Sequence, residues 1–146
     1  MATFSRSTTV NWAGSIMEGG GKAEAGTGAF SLPVSFPKRI GDPAGATSPE
    51  EFIAAAHATC YAMVVAGALG RANASTSRTS VKCTVTADKG DAGIKITNSK
   101  LELTAEGLTG MDAAAFEKMA REAEGKCPVS NLLRPGLTID LTVSVK

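Results

Sequence analysis

Charge of one sign is missing from this sequence. Its 146 residues carry a formal net charge of +1, with neither a basic run nor an acidic tail. That balance excludes binding driven by nucleic-acid phosphates. Histidine is nearly absent too: His57 is the single one, beside three cysteines, Cys60, Cys83 and Cys127. An odd number of cysteines cannot all pair within a chain, and their spacing fits no zinc-ligand pattern. Neither a disulfide framework, a metal nor another cofactor is expected. Aromatic residues make up 5% of the chain, too few for a large aromatic pocket. The start, Met1-Ala2-Thr3-Phe4-Ser5-Arg6, lacks an apolar signal core, so we expect a cytoplasmic location. A lasting disulfide is disfavoured there and a transient catalytic one is allowed. Internal repeats, linkers and low-complexity blocks are lacking as well, and the length suits a single domain over residues 1–146.

What remains is a globular composition, 43% hydrophobic and 20% charged, that can bury a core of its own. Gly19-Gly20-Gly21 reads as the turn of a hairpin between strands over 8–17 and 22–31. Residues 32–47 hold Pro33, Pro37 and Pro43 and read as irregular chain with at most one short strand, near 34–36. Ser48-Pro49-Glu50-Glu51 is a strong helix start: a capping serine, proline at the first helical position and acids facing the dipole. That helix runs to about 69–70. Strands are expected over 79–88 and 93–106, with a turn at Asp91-Ala92-Gly93. A helix follows over 113–125, capped by Asp112, with Phe116, Met119, Ala120 and Ala123 on one face. Cys127-Pro128-Val129-Ser130 opens a short helical turn, and strict alternation from Leu137 to Val145 gives a last strand. The grouping predicts an α+β fold: a mostly antiparallel sheet with helices against it and a long buried central helix.

The central helix is unusual because Phe52 to Leu69 is almost free of polar side chains. A stretch of that length is able to cross a membrane. Its alanine and glycine content and its isolation argue instead for a soluble protein with no membrane partner. A helix apolar all round must be buried all round. One small sheet covers one side only, so a homodimer with these helices near the two-fold axis is expected.

Cysteine is often a small buried hydrophobe, and Cys83, between Val81 and Val85, is read that way. Composition alone leaves Cys60 and Cys127 equally open to core and reactive roles. His57 lies one turn before Cys60 and is read as a hydrogen-bonded core residue outside the catalytic set.

The segment Ser48-Pro49-Glu50-Glu51-Phe52-Ile53-Ala54-Ala55-Ala56-His57-Ala58-Thr59-Cys60-Tyr61 resembles the signature of the OsmC/Ohr family. These are the osmotically inducible protein C and organic hydroperoxide resistance proteins. Cys127-Pro128-Val129-Ser130 is similar to the family's second motif, and Lys38-Arg39-Ile40 falls where the family carries an arginine. The Ala-Ala-His-Ala-x-Cys form looks closer to the OsmC branch. The resemblance implies an intertwined homodimer with two sites at the subunit interface. It implies that Cys60 attacks the peroxide and Cys127 resolves the product, with Arg39 and Glu50 as charged partners. It also implies organic hydroperoxides as substrate, hydrogen peroxide more weakly, and an external dithiol, lipoyl-type by analogy, as reductant.

The chemistry has its own requirements. A thiolate, not a thiol, attacks an O–O bond, and burial in an apolar helix disfavours the charged form. Cys60 therefore needs a cation, which Arg39 can supply, with Glu50 holding the guanidinium. Glu50 and Cys60 stand ten residues apart on one helix, about 15 Å along its axis. Either Arg39 bridges them or Glu50 comes from the partner chain, and the second is favoured. Physics alone leaves open which cysteine attacks, since Cys127 precedes a helix start that also stabilises a thiolate. Two other classes stay in view: a redox sensor using the same disulfide for a single turnover, and a structural dimer with unreactive thiols.

Overall fold

The computed structural model describes residues 1–146, which form two compact units, Met1–Phe52 and Ile53–Lys146.

In the first unit, β1 (Thr8–Ala13), β2 (Gly20–Ala25) and β3 (Ser31–Val34) form an antiparallel three-stranded sheet in that order. Trp12 pairs with Gly21, and a Cβ on Gly21 would meet the Trp12 ring at 3.2 Å and the Asn11 carbonyl at 2.6 Å. Gly20 and Gly21 belong to the strand, Gly21 because the indole needs the space, and the turn is made by residues 14–19. Gly14 takes the positive φ of that turn, +84°. The expected second strand over 22–31 divides into β2 and β3 around Gly26 and Gly28. The proline-rich stretch hides a short helix, α1 (Phe36–Ile40), in place of irregular chain. Ser35 caps it, its hydroxyl accepting from the Lys38 amide at 3.4 Å.

Helix α2 (Pro49–Arg71) starts as its sequence dictates, with the Glu51 amide donating to Ser48 Oγ at 3.2 Å. By length and hydropathy it is able to cross a membrane. Its buried residues are His57, Tyr61, Val65 and Leu69, one stripe at four-residue spacing. Ala55, Ala56, Thr59, Met63, Ala66 and Gly67 on the other side are exposed. Within one chain the helix is thus covered on one side, not all round, because the sheet it packs on has only one face to offer.

In the second unit, β4 (Arg78–Gly90) and β5 (Gly93–Glu106) form a long antiparallel hairpin, and β6 (Thr138–Val145) lies parallel to β5. The chain thus has two three-stranded sheets in place of one. The ladders are antiparallel except β5–β6. That pairing follows from the crossover: α3 (Ala113–Gly125) and α4 (Pro128–Leu133) carry the chain back to the far end of β5. The alternation of β4, β5 and β6 puts Val81, Cys83, Leu101, Leu103, Ala105, Leu141 and Val143 on the face that packs with Tyr61, Val65, Leu69, Phe116 and Ala120. Asp112 caps α3 by accepting from the Ala115 amide at 2.8 Å.

Candidate functional site

The two cysteines named from the sequence come together. Cys60 sits on α2, half-buried; Cys127 is fully buried and forms the N-cap of α4. Pro128 is the first residue of α4, which stops the helix from extending back through the cysteine. The Cys127 thiol and the Val129 amide are the polar neighbours of the Cys60 sulfur. All three cysteines are free.

Burial pushes the Cys60 thiol above its ordinary pKa; the Val129 amide pulls it down, and the neighbouring Cys127 raises it further. No cation from residues 53–146 acts on it. The second unit therefore brings two thiols and one amide close together, in surroundings whose burial disfavours a charged sulfur.

The first unit holds the charged pair. Arg39, at the C-terminal end of α1, meets Glu50 in the first turn of α2. Arg39 Nη2 donates to Glu50 Oε1 at 2.6 Å, and Nε donates to both carboxylate oxygens at 3.1 Å. The hydrogen bond from Arg39 holds the Glu50 carboxyl below its usual range, and Glu50 in turn raises the guanidinium. This pair closes within one chain. The reason is α1: the short helix missed in the sequence turns Arg39 back onto the start of α2. Glu51 points elsewhere and accepts from Thr47 Oγ1 at 2.7 Å. An apolar cavity of about 140 Å³ beside the guanidinium is lined by Trp12, Ile16, Phe36, Arg39 and Pro49.

His57 is fully buried and does not serve Cys60. Its Nδ1 lies 2.7 Å from Ser99 Oγ on β5, and its Nε2 2.7 Å from Ser130 Oγ on α4. A neutral imidazole satisfies both contacts, donating to one hydroxyl and accepting from the other. Burial depresses its pKa. Cys83 Sγ lies 3.3 Å from Ser99 Oγ and 3.8 Å from His57 Nδ1, and burial raises its thiol pKa, as befits core packing. Tyr61 donates its hydroxyl proton to the Ala120 carbonyl at 2.8 Å. Sequence reading passed over Ser99, Ser130 and the Val129 amide. The position of Ser130, three residues after Cys127, was the available hint; nothing marked Ser99 in its apolar strand. There is no cluster of three or more His, Cys, Asp or Glu suited to a metal ion.

A family model described as OsmC-like protein matches residues 41–142. Peroxiredoxin OsmC of Escherichia coli is 34% identical over 140 residues, covering 94% of this chain and 96% of the relative. An organic hydroperoxide resistance protein OsmC from Legionella pneumophila has a solved structure that matches with a TM-score of 0.78 at 24% identity, over 99% of both chains. The structure of OhrB from Bacillus subtilis matches with a TM-score of 0.73 at 21% identity, over 99% of this chain and 100% of the other.

Proposed function

Since the chain belongs to the OsmC-like family, we propose that it is a cysteine-based peroxidase that reduces organic hydroperoxides, and hydrogen peroxide more weakly. The observation that carries this reading is that the Cys60 thiol on α2 has as its neighbour the Cys127 thiol at the start of α4.

Cys60 thiolate attacks the outer oxygen of the hydroperoxide. The O–O bond breaks, the alkoxide takes a proton and leaves as alcohol, and Cys60 becomes a sulfenic acid. Cys127 then attacks that sulfur, forming the Cys60–Cys127 disulfide and releasing water. An external dithiol, lipoyl-type in our reading, returns both thiols and is itself oxidised to a disulfide. Arg39 supplies the cation that Cys60 lacks among its own neighbours and orients the peroxide oxygens; Glu50 fixes the guanidinium by two-pronged pairing. The apolar cavity beside Arg39 suits an alkyl chain better than a second polar group. We further propose a homodimer with two such sites, working in the reducing cytoplasm.

The test is consumption of an organic hydroperoxide and of hydrogen peroxide, with a lipoyl dithiol as reductant. Wild-type protein is expected to turn over many equivalents, with the organic substrate faster. Cys60→Ser abolishes turnover, and Cys127→Ser stops after one equivalent and accumulates sulfenic acid on Cys60. A wild-type protein that stops after one equivalent, with the dithiol present, is a sensor and not a catalyst. Normal turnover in Cys60→Ser, with sulfenic acid trapped on Cys127, reverses the two roles.

A further inference from the structure

Two residues of α2 flank Cys60 and reach in different directions. His57, one turn before it, bonds Ser130 on α4; Tyr61, next to it, bonds the Ala120 carbonyl on α3. Cys127 lies in the short link between those helices, after Gly125 ends α3 and before Pro128 begins α4. The contacts between α2 and α4 run in opposite directions along the two helices, with His57 meeting Ser130 and Cys60 meeting Cys127. His57 is itself braced from behind by Ser99 on β5. Both ends of the link that carries Cys127 are therefore pinned to the helix that carries Cys60.

We propose that His57, acting through Ser130 and helped by Tyr61 acting through Ala120, positions the Cys127 sulfur for attack on oxidised Cys60. They are positioning residues for the resolving step, and they take no part in the attack on peroxide. The inference rests on Cys60 and Cys127 being the reactive pair proposed above.

Disulfide formation requires the attacking sulfur to approach in line with the bond that breaks. A misplacement of about 1 Å costs on the order of 100-fold in such a step. The first attack depends on α4 only through the Val129 amide beside Cys60, and its partner is a small diffusing molecule that needs no such alignment. Loss of the strut should thus slow the second event selectively. A purely structural role would instead lower stability and leave the ratio of the two rates alone.

An aromatic disulfide, dithiobis-nitrobenzoate, separates the two events without any peroxide. Cys60 thiolate displaces one thionitrobenzoate and forms a mixed disulfide. Cys127 thiolate then attacks the Cys60 sulfur, forms the protein disulfide and displaces the second thionitrobenzoate. The Cys127→Ser variant gives the background from other thiols, Cys83 included. In Ser130→Ala, which removes one oxygen, the first release is expected within about threefold of wild type and the second slowed by about tenfold or more. His57→Asn, whose amide reaches only toward Ser99, should behave the same way. His57→Gln, whose amide replaces Nε2 and reaches Ser130, should stay within about threefold of wild type in both releases. Tyr61→Phe should slow the second release by a smaller factor. Under excess hydroperoxide, Ser130→Ala should accumulate Cys60 sulfinic acid, because its sulfenic acid waits longer.

Unchanged second release in folded Ser130→Ala and His57→Asn overturns the proposal, and so does equal slowing of both releases. A wild-type protein that forms the disulfide from this reagent yet consumes no hydroperoxide removes the peroxidase reading alone; the positioning role is still judged by the second release.

Discussion

His57 is the chain's single histidine, and its burial between Ser99 and Ser130 gives it a measurable signature. Its pKa is depressed in the folded protein, whereas an unfolded chain takes up the proton near pH 6.5. Between the folded value and about 6.5 the unfolded state binds more protons, so stability rises with pH there. The contribution is complete above about pH 6.5 and declines as the pH falls below it. Urea melts from pH 7.5 down to 5.5 are expected to show a falling midpoint, and His57→Gln should flatten that slope. Arg39 makes a second prediction at this scale. Cys60 is raised by burial with no cation among residues 53–146, so in our proposal Arg39→Met removes the charge that stabilises its thiolate. The peroxidase kcat/KM should drop on the order of 100-fold, as when a charge-stabilising donor is deleted. Thiolate absorbance should titrate at higher pH than in wild type. A Cys60 thiol that stays protonated above pH 8 with Arg39 intact would sink the peroxidase reading. Glu50→Gln should act in the same direction and less strongly, because it loosens the guanidinium without removing it.

Two elements show how local signals and packing divide the work. Helix α3 is held at its start by Asp112 and along its face by Phe116, Ala120 and Ala123, all buried. Asp112→Ala deletes the acceptor for the Ala115 amide and should cost about 1 kcal/mol. Phe116→Ala opens a cavity in the core that also holds Tyr61 and Leu103 and should cost about 3–5 kcal/mol. Equilibrium denaturation checks both, and the cap should prove the smaller term. Helix α1 illustrates the opposite case. Its cap, Ser35, and the proline at its first turn were present in the sequence, but three prolines in that stretch pointed to irregular chain. A five-residue helix has too few internal hydrogen bonds for periodicity to reveal it. The Gly19-Gly20-Gly21 run misled for a different reason. Gly21 serves β2 by making room for Trp12, and Gly20 by its close approach to the Val34 carbonyl on β3, and only the register with the neighbouring strands discloses that.

For the whole molecule, the exposed apolar surface is the telling quantity. Met63 on α2 is 69% exposed, Val10 on β1 54% and Trp12 42%. Each of these elements presents apolar side chains to solvent, which is what a surface that meets a second copy of the chain would show. We expect sedimentation equilibrium to give twice the monomer mass. Met63→Glu places a charge on the exposed side of α2 among Ala56, Thr59, Ala66 and Gly67. It should shift the equilibrium toward monomer without unfolding the chain, since that side chain makes no core contact within one subunit. A wild-type monomer at micromolar concentration would remove the dimer from the proposal.

Amino-acid order alone determined the elements whose signals are short-range: the capped start of α2, α3 with its Asp112 cap, the limits of β5 and the alternation of β6. Cys60, Cys127, Arg39 and Glu50 stood out through the resemblance of their segments to the motifs of the OsmC/Ohr family. Tertiary structure decided that β6 lies parallel to β5, that Arg39 meets Glu50 of its own chain, and that His57 joins Ser99 to Ser130. Those facts join residues eleven to seventy-three positions apart. No local propensity records such pairs, because chain closure and packing select them only when the whole core assembles.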